Sequence, residues 1–189
     1  AKAHGEPFDY EGWQYIIDTY QGNLPIHIKA VPEGSLIPVS HPLVTIESTD
    51  PKVFWLTSFL ETLLMKIWYP TTIATKSYYI KQMLQSYTVK YSDNTSVDFM
   101  YHNFGDRGAS SVEAAAIGGV AHLTQFLGTD NFHALKLAKT YYSADCAGFS
   151  IPASEHSTVT SWGKDNEYTM IDNYLEKFKT SPIIACVMD

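Results

Sequence analysis

Residues 97–130 read VDFMYHNFGDRGASSVEAAAIGGVAHLTQFLGTD, and their rhythm decides the fold. Val97 to His102 reads as a strand. Ser110-Ser111-Val112-Glu113 opens a helix, with Ser110 and Glu113 at capping-box spacing. Inside that helix Ala114, Ala115, Ala116, Gly118 and Gly119 are all small. A glycine in a helix interior costs about 1 kcal/mol against alanine, so another element must approach this face closely. Leu123 to Leu127 reads as the next strand, and Gly128-Thr129-Asp130 leads into a helix carrying Leu135, Ala138 and Tyr142.

The alternation continues downstream. Gly148 to Ile151 reads as a short strand, Tyr168, Ile171, Leu175 and Phe178 lie at helical spacing, and Ile183 to Met188 reads as a final strand. Strands alternating with helices imply a parallel sheet with right-handed crossovers, hence the α/β class.

The upstream part has a different texture. Trp13, Ile16, Ile17 and Tyr20 mark a helix that Gly22 can end. Ile26, Ile28 and Ala30 alternate as a strand, Pro32-Glu33-Gly34 supplies a turn, and two short strands follow near 36–39 and 43–47. Short connections favour antiparallel pairing there. Asp50-Pro51 caps and starts a helix expected over 51–68, apolar almost all round, which Tyr69-Pro70 should break before another helix over 72–87. The expected division is a mixed α+β part, 1–95, with its apolar helix packing on an α/β part, 96–189.

Composition narrows the function. The 189 residues carry 13 basic and 20 acidic side chains, a net charge of −7, which disfavours a nucleic-acid binder. No apolar run approaches the ~20 residues of a membrane span. Cys146 and Cys186 lack metal-ligand spacing and suit two thiols in a reducing compartment. No Walker loop, Gly-x-Gly-x-x-Gly or Gly-x-Ser-x-Gly motif is present. The chain opens without Met and stops on an apolar strand, so it reads as an internal piece of something larger.

Ligands of a parallel α/β sheet collect at the carboxyl ends of its strands. Those positions hold His102 to Gly108, Thr129 and Asp130, and Glu155 to Thr158. Phe104, Arg107, Asp130 and His156 stand out, since a ring, a cation, a carboxylate and an imidazole suit an aromatic ligand joined to an anion. Each has a plainer alternative: Phe104 in the core, Arg107 paired with Asp106 or lying on the surface, Asp130 as a helix cap, His156 as a structural imidazole. No metal motif is expected among these residues.

Four stretches carry a family resemblance: 101–131, YHNFGDRGASSVEAAAIGGVAHLTQFLGTDN; 149–165, FSIPASEHSTVTSWGKD; 12–39, GWQYIIDTYQGNLPIHIKAVPEGSLIPV; and 49–75, TDPKVFWLTSFLETLLMKIWYPTTIAT. Together they resemble the nicotinamide phosphoribosyltransferase family, in the same order and over nearly the whole chain. The resemblance implies part of an irregular α/β barrel of the type II phosphoribosyltransferase kind, with a portion of a smaller, partly antiparallel domain. It implies nicotinamide and phosphoribosyl diphosphate as substrates, Mg2+ as cofactor with ligands mostly outside this chain, ATP as activator, a homodimer, and a cytoplasmic enzyme of NAD salvage. Residue by residue, it implies that Phe104 stacks on nicotinamide and Arg107 faces the diphosphate. Asp130 accepts from the carboxamide NH2, Ser150 and Ile151 line the pocket wall, and His156 is phosphorylated by ATP beside the diphosphate. Asn103 and Asp106 depart from the family pattern of an acid and an aromatic. Two rivals remain: a nicotinate phosphoribosyltransferase, which Asp130 argues against by repulsion, and a non-catalytic dimerising domain derived from the enzyme.

Overall fold

The computed structural model describes residues 3–93 and 96–188. Its contacts group into two compact units that divide between Thr72 and Ile73.

The first unit starts with α1 (Tyr10–Tyr20), capped by the Asp9 carboxylate accepting from Gly12 N–H at 2.9 Å. The helix ends as expected near Gly22, with Gln21 and Gly22 both in the left-handed region. β1 (Ile26–Ala30) pairs antiparallel with β2 (Val44–Ser48), Ile28 opposite Ile46. The expected strand at 36–39 is absent; Val39 is 92% exposed and has no burial to gain from pairing. Ile16, Val53 and Leu56 form the buried core, flanked by Trp13, Tyr15, Ile26, Trp55 and Leu60. Asp50 is the polar anchor of this unit. One of its oxygens accepts from Tyr15 OH at 2.9 Å and Tyr20 OH at 2.8 Å, and the other accepts from Lys52 N–H at 2.9 Å.

The single helix expected over 51–68 is corrected to a succession: a 3₁₀ turn at Pro51–Val53, α2 (Leu56–Leu64), a second 3₁₀ turn at Met65–Ile67, and α3 (Trp68–Tyr91). Pro70 does not break the chain, because it falls in the first turn of α3, where a backbone N–H has no intrahelical acceptor. Val53 and Leu56 are buried, while Phe54, Phe59, Leu63, Met65 and Trp68 are exposed. An apolar cavity of about 430 Å³ opens among Leu43, Val44, Leu64, Met65, Ile67 and Trp68.

The second unit is parallel, as the alternation implies, with shorter strands. β3 (His102–Asn103) runs parallel to β4 (Gly128–Thr129), with His102 opposite Gly128. Phe149 adds a parallel rung beside Gly128, and Ala153 pairs in parallel with Ala185. Residues 97–100 form a turn closed by Met100 N–H to Val97 C=O, so the strand begins later than Val97. The strand expected at 123–127 also moves: α4 (Val112–Leu123) continues to Leu123, and pairing resumes at Gly128.

Ser111, not Ser110, caps α4, its Oγ accepting from Ala114 N–H at 3.0 Å. α4 packs on α5 (Phe132–Tyr142) as closely as its small residues foretell. A Cβ on Gly119 would stand 2.5 Å from Ala134 Cβ and 2.9 Å from Asn131 Nδ2. α6 (His156–Thr160) and α7 (Glu167–Phe178) follow. The stripe expected on α7 is rotated: Met170 is buried, whereas Tyr168 and Leu175 are exposed. Lys81 on α3 fastens two loops by donating to Asp98 Oδ1 at 2.9 Å and to Gln125 C=O at 2.5 Å.

Candidate functional site

Each residue singled out from the sequence lies where a parallel rung ends, and the side chains fall into two groups. The first gathers on Asp130, which follows β4. Asn131 caps α5 by accepting from Ala134 N–H at 3.0 Å, and its amide donates to Ala115 C=O at 2.8 Å. Asp130 is therefore not the cap, and its carboxylate is free for other work. Its Oδ1 lies 2.8 Å from His102 Nε2 and also accepts from Ser150 Oγ, bringing together the ends of three successive rungs. The backbone closes the same junction, with Asp130 N–H donating to Asn103 C=O at 3.1 Å.

Phe104 is 64% exposed, which removes the core alternative. Its ring packs against the His102 imidazole with centroids 4.6 Å apart and planes at 33°. Ile151 is half-buried beside Ser150. A ring, an imidazole, a carboxylate and a hydroxyl are thus linked through His102 and Asp130, an arrangement suited to a flat ring bearing a hydrogen-bond donor.

The second group is ionic. Arg107, in the loop between β3 and α4, donates to Glu155 Oε1 at 3.2 Å rather than pairing with Asp106, and its side chain is 81% exposed, so it lies on the surface as the plainer alternative allowed. Glu155 in turn caps α6, its Oε2 accepting the His156 backbone N–H at 2.6 Å. The Arg107 guanidinium, and after it the His156 N–H, hold the Glu155 carboxyl below the usual carboxylate range. His156 therefore stands at the first residue of a helix beside a guanidinium–carboxylate pair.

His102 is the residue whose role the sequence did not single out. It opens β3, but nothing local marks it as the partner of an aspartate 28 positions away; only the pairing of β3 with β4 does so. Behind it His122 is buried, with Nε2 3.1 Å from Gly128 C=O and its ring stacked on Phe126 at 5.4 Å. Burial lowers the His122 pKa below the usual imidazole value. Among the described residues no group of three His, Cys, Asp or Glu side chains could hold a metal ion. No helix of the described residues is long and apolar enough to cross a membrane.

Residues 99–186 match the model of the nicotinate phosphoribosyltransferase (NAPRTase) family. A curated nicotinamide phosphoribosyltransferase of Xanthomonas campestris pv. campestris is 50% identical over 99% of this chain, which covers 41% of that protein. The nicotinamide phosphoribosyltransferase of Acinetobacter baylyi is 37% identical over 89% of the chain and 34% of the relative. That of Mycoplasma genitalium is 35% identical over 82% of the chain and, again, 34% of the relative. The chain thus spans between a third and about two fifths of these proteins. The resemblance to nicotinamide phosphoribosyltransferases read from four stretches of sequence holds over 99% of the chain.

Proposed function

We propose that the complete protein transfers the phosphoribosyl group of phosphoribosyl diphosphate to nicotinamide, giving nicotinamide mononucleotide and diphosphate. The observation that carries this reading is Asp130: a carboxylate at the rim, released from capping by Asn131 and oriented by His102 and Ser150. Phe104 stacks on the pyridine ring, Asp130 accepts from the carboxamide NH2, and Ser150 with Ile151 forms the wall. The pyridine nitrogen is thereby held in line with the anomeric carbon as the bond to diphosphate breaks. The leaving group gathers negative charge, and this chain answers it with Arg107, which exchanges Glu155 for diphosphate oxygens. His156 is the proposed phosphoryl acceptor through which ATP stimulates the reaction. Mg2+ is the proposed cofactor, and it would help neutralise the leaving diphosphate; its protein ligands are assigned to other parts of the complete protein.

The parallel rungs at 102–103, 128–129 and 149, and the pair Ala153–Ala185, support the first strands of an irregular α/β barrel. The exposed apolar side chains between Phe54 and Trp68 support a homodimer. The free thiols Cys146 and Cys186 suit a cytoplasmic enzyme. The 189-residue chain by itself is proposed to be inactive, since it spans 41% of its Xanthomonas relative.

Nicotinate is the competing substrate, and the family whose model matches carries its name. A carboxylate-bearing ring would face Asp130 with like charge. Incubating the complete protein with phosphoribosyl diphosphate, Mg2+ and each base, then identifying products by mass, tests the proposal. The mononucleotide of nicotinamide is the expected dominant product. A dominant acid mononucleotide supports the nicotinate enzyme, and no product with either base supports a non-catalytic domain.

A further inference from the structure

The His102 ring is hemmed in by two neighbours. Phe104 packs against it, with centroids 4.6 Å apart. Gly128 leaves the ring room that no other residue could: a Cβ there would stand 2.6 Å from His102 Nδ1 and 3.3 Å from Cγ. Nε2 lies 2.8 Å from Asp130 Oδ1, the oxygen that also accepts from Ser150 Oγ. Both bonds fall on that one oxygen. Among the described residues Oδ2 has no hydrogen-bond partner, and the Asp130 side chain is 43% exposed.

We infer that His102 is a positioning residue that aims Asp130, fixing Oδ1 inward so that Oδ2 alone faces the ligand. This rests on the proposed reading of the site as one that receives an amide donor. An ionised carboxylate only accepts hydrogen bonds, so the proton of the His102–Asp130 bond belongs to Nε2. Nδ1 is then bare, which suits its place against the Cα of Gly128, where there is no side chain to bond. The Ser150 hydroxyl has a single proton, and the carboxylate is a stronger acceptor for it than the Ile151 carbonyl at 3.4 Å. With both donors on Oδ1, rotation of the carboxylate about its Cβ–Cγ bond breaks two charge-assisted contacts at once. Without His102 the carboxylate can present either oxygen over a wider range of angles, and its selectivity for a donor of fixed direction falls. His122 spends its own Nε2 on the Gly128 carbonyl and does not compete for Asp130.

Three variants of the complete protein test the inference. His102→Leu removes the donor, His102→Gln places an N–H near the position of Nε2, and Gly128→Ala displaces the ring. The expected result for His102→Leu is a fall of ~10-fold in the ratio of kcat/KM for nicotinamide over nicotinate, carried by KM for nicotinamide. His102→Gln should keep the ratio within ~3-fold of wild type, and Gly128→Ala should behave as His102→Leu. If His102→Leu does not fold, His102→Asn serves the same comparison, since its amide is too short to reach Asp130. An unchanged ratio in the donor-less variant, or equal losses in the Leu and Gln variants toward both bases, overturns the inference. A second readout needs no substrate: nitrogen NMR of the imidazole should show Nε2 protonated and Nδ1 bare. An Nδ1–H tautomer overturns the inference whatever the protein turns over. Absence of nicotinamide turnover in the wild type overturns the proposed function instead, and the tautomer still decides whether His102 aims Asp130.

Discussion

Replacing Gly119 with alanine tests the packing that holds Asp130 in place. In an open helix the change is favourable by about 1 kcal/mol, because alanine is the better helix former. In α4 the new Cβ would stand 2.5 Å from Ala134 Cβ and 2.9 Å from Asn131 Nδ2. Carbon atoms rest about 3.5–4.0 Å apart, so α4 and α5 must separate by about 1 Å. Ala134 Cβ is rigidly attached to its backbone and cannot turn away, and the shift stretches the buried Asn131 Nδ2 to Ala115 C=O bond from 2.8 Å. Overpacking costs about 1–3 kcal/mol and a weakened buried hydrogen bond about 1 kcal/mol more, so the net expectation is destabilisation by about 1–3 kcal/mol. Urea unfolding of the complete protein, followed by tryptophan fluorescence, measures it. Adding Ala134→Gly should return part of the loss, with coupling of about 1 kcal/mol between the two sites. A Gly119→Ala protein as stable as wild type would refute the close approach of α4 and α5.

Tyr20 is pushed up to about 12 from the ordinary 10 by its hydrogen bond to the Asp50 carboxylate. Its contribution to stability is therefore complete below pH 10 and is lost as pH rises through about 12; an ultraviolet titration should find this late phenol, and Asp50→Asn should bring it down. The Asp50 carboxyl lies below its usual range, first through the Lys52 N–H, so its own contribution is present above the unfolded-state value and lost as acid takes the pH through the lower folded one. Arg107→Ala should raise KM for phosphoribosyl diphosphate ~10-fold or more, the worth of a charge-assisted contact, in steady-state kinetics. His156→Ala should abolish stimulation by ATP, and undiminished stimulation would assign the phosphoryl group to another residue.

Much of the fold can be read from short-range signals, and the departures have local causes. Alternation at Ile26, Ile28 and Ala30 marks β1, and short connections foretell its antiparallel partner. Residues 121–127, AHLTQFL, are apolar enough to serve as the end of a helix or as a strand, and the backbone bonds of α4 take Leu123 for the helix. Proline is tolerated at the start of a helix as well as after its end, so Pro70 does not by itself show which of two helices is interrupted. Ser110 and Ser111, like Asp130 and Asn131, are adjacent residues that can both cap. The backbone direction chooses Ser111 and Asn131, and in the second case that choice frees Asp130.

The candidate site divides in the same way. Phe104, Arg107, Asp130 and His156 are visible because each follows a strand. The Arg107–Glu155 pair and the His102–Asp130 contact join residues 48 and 28 positions apart, and they exist only once the rungs are in register. Spacing within a single element carries no trace of them.

The most direct test of the central claim is the ratio of kcat/KM for nicotinamide over nicotinate, measured for wild type and Asp130→Asn in the complete protein. Asn131 holds the cap, so the substitution removes charge from the rim without uncapping α5. A charge-assisted hydrogen bond is worth about 1.5–3 kcal/mol, which converts to ~10-fold or more in the ratio. The account predicts a fall of that size in Asp130→Asn, with nicotinate gaining as the repulsion disappears. An unchanged ratio would contradict the assignment of Asp130 as the acceptor for the carboxamide.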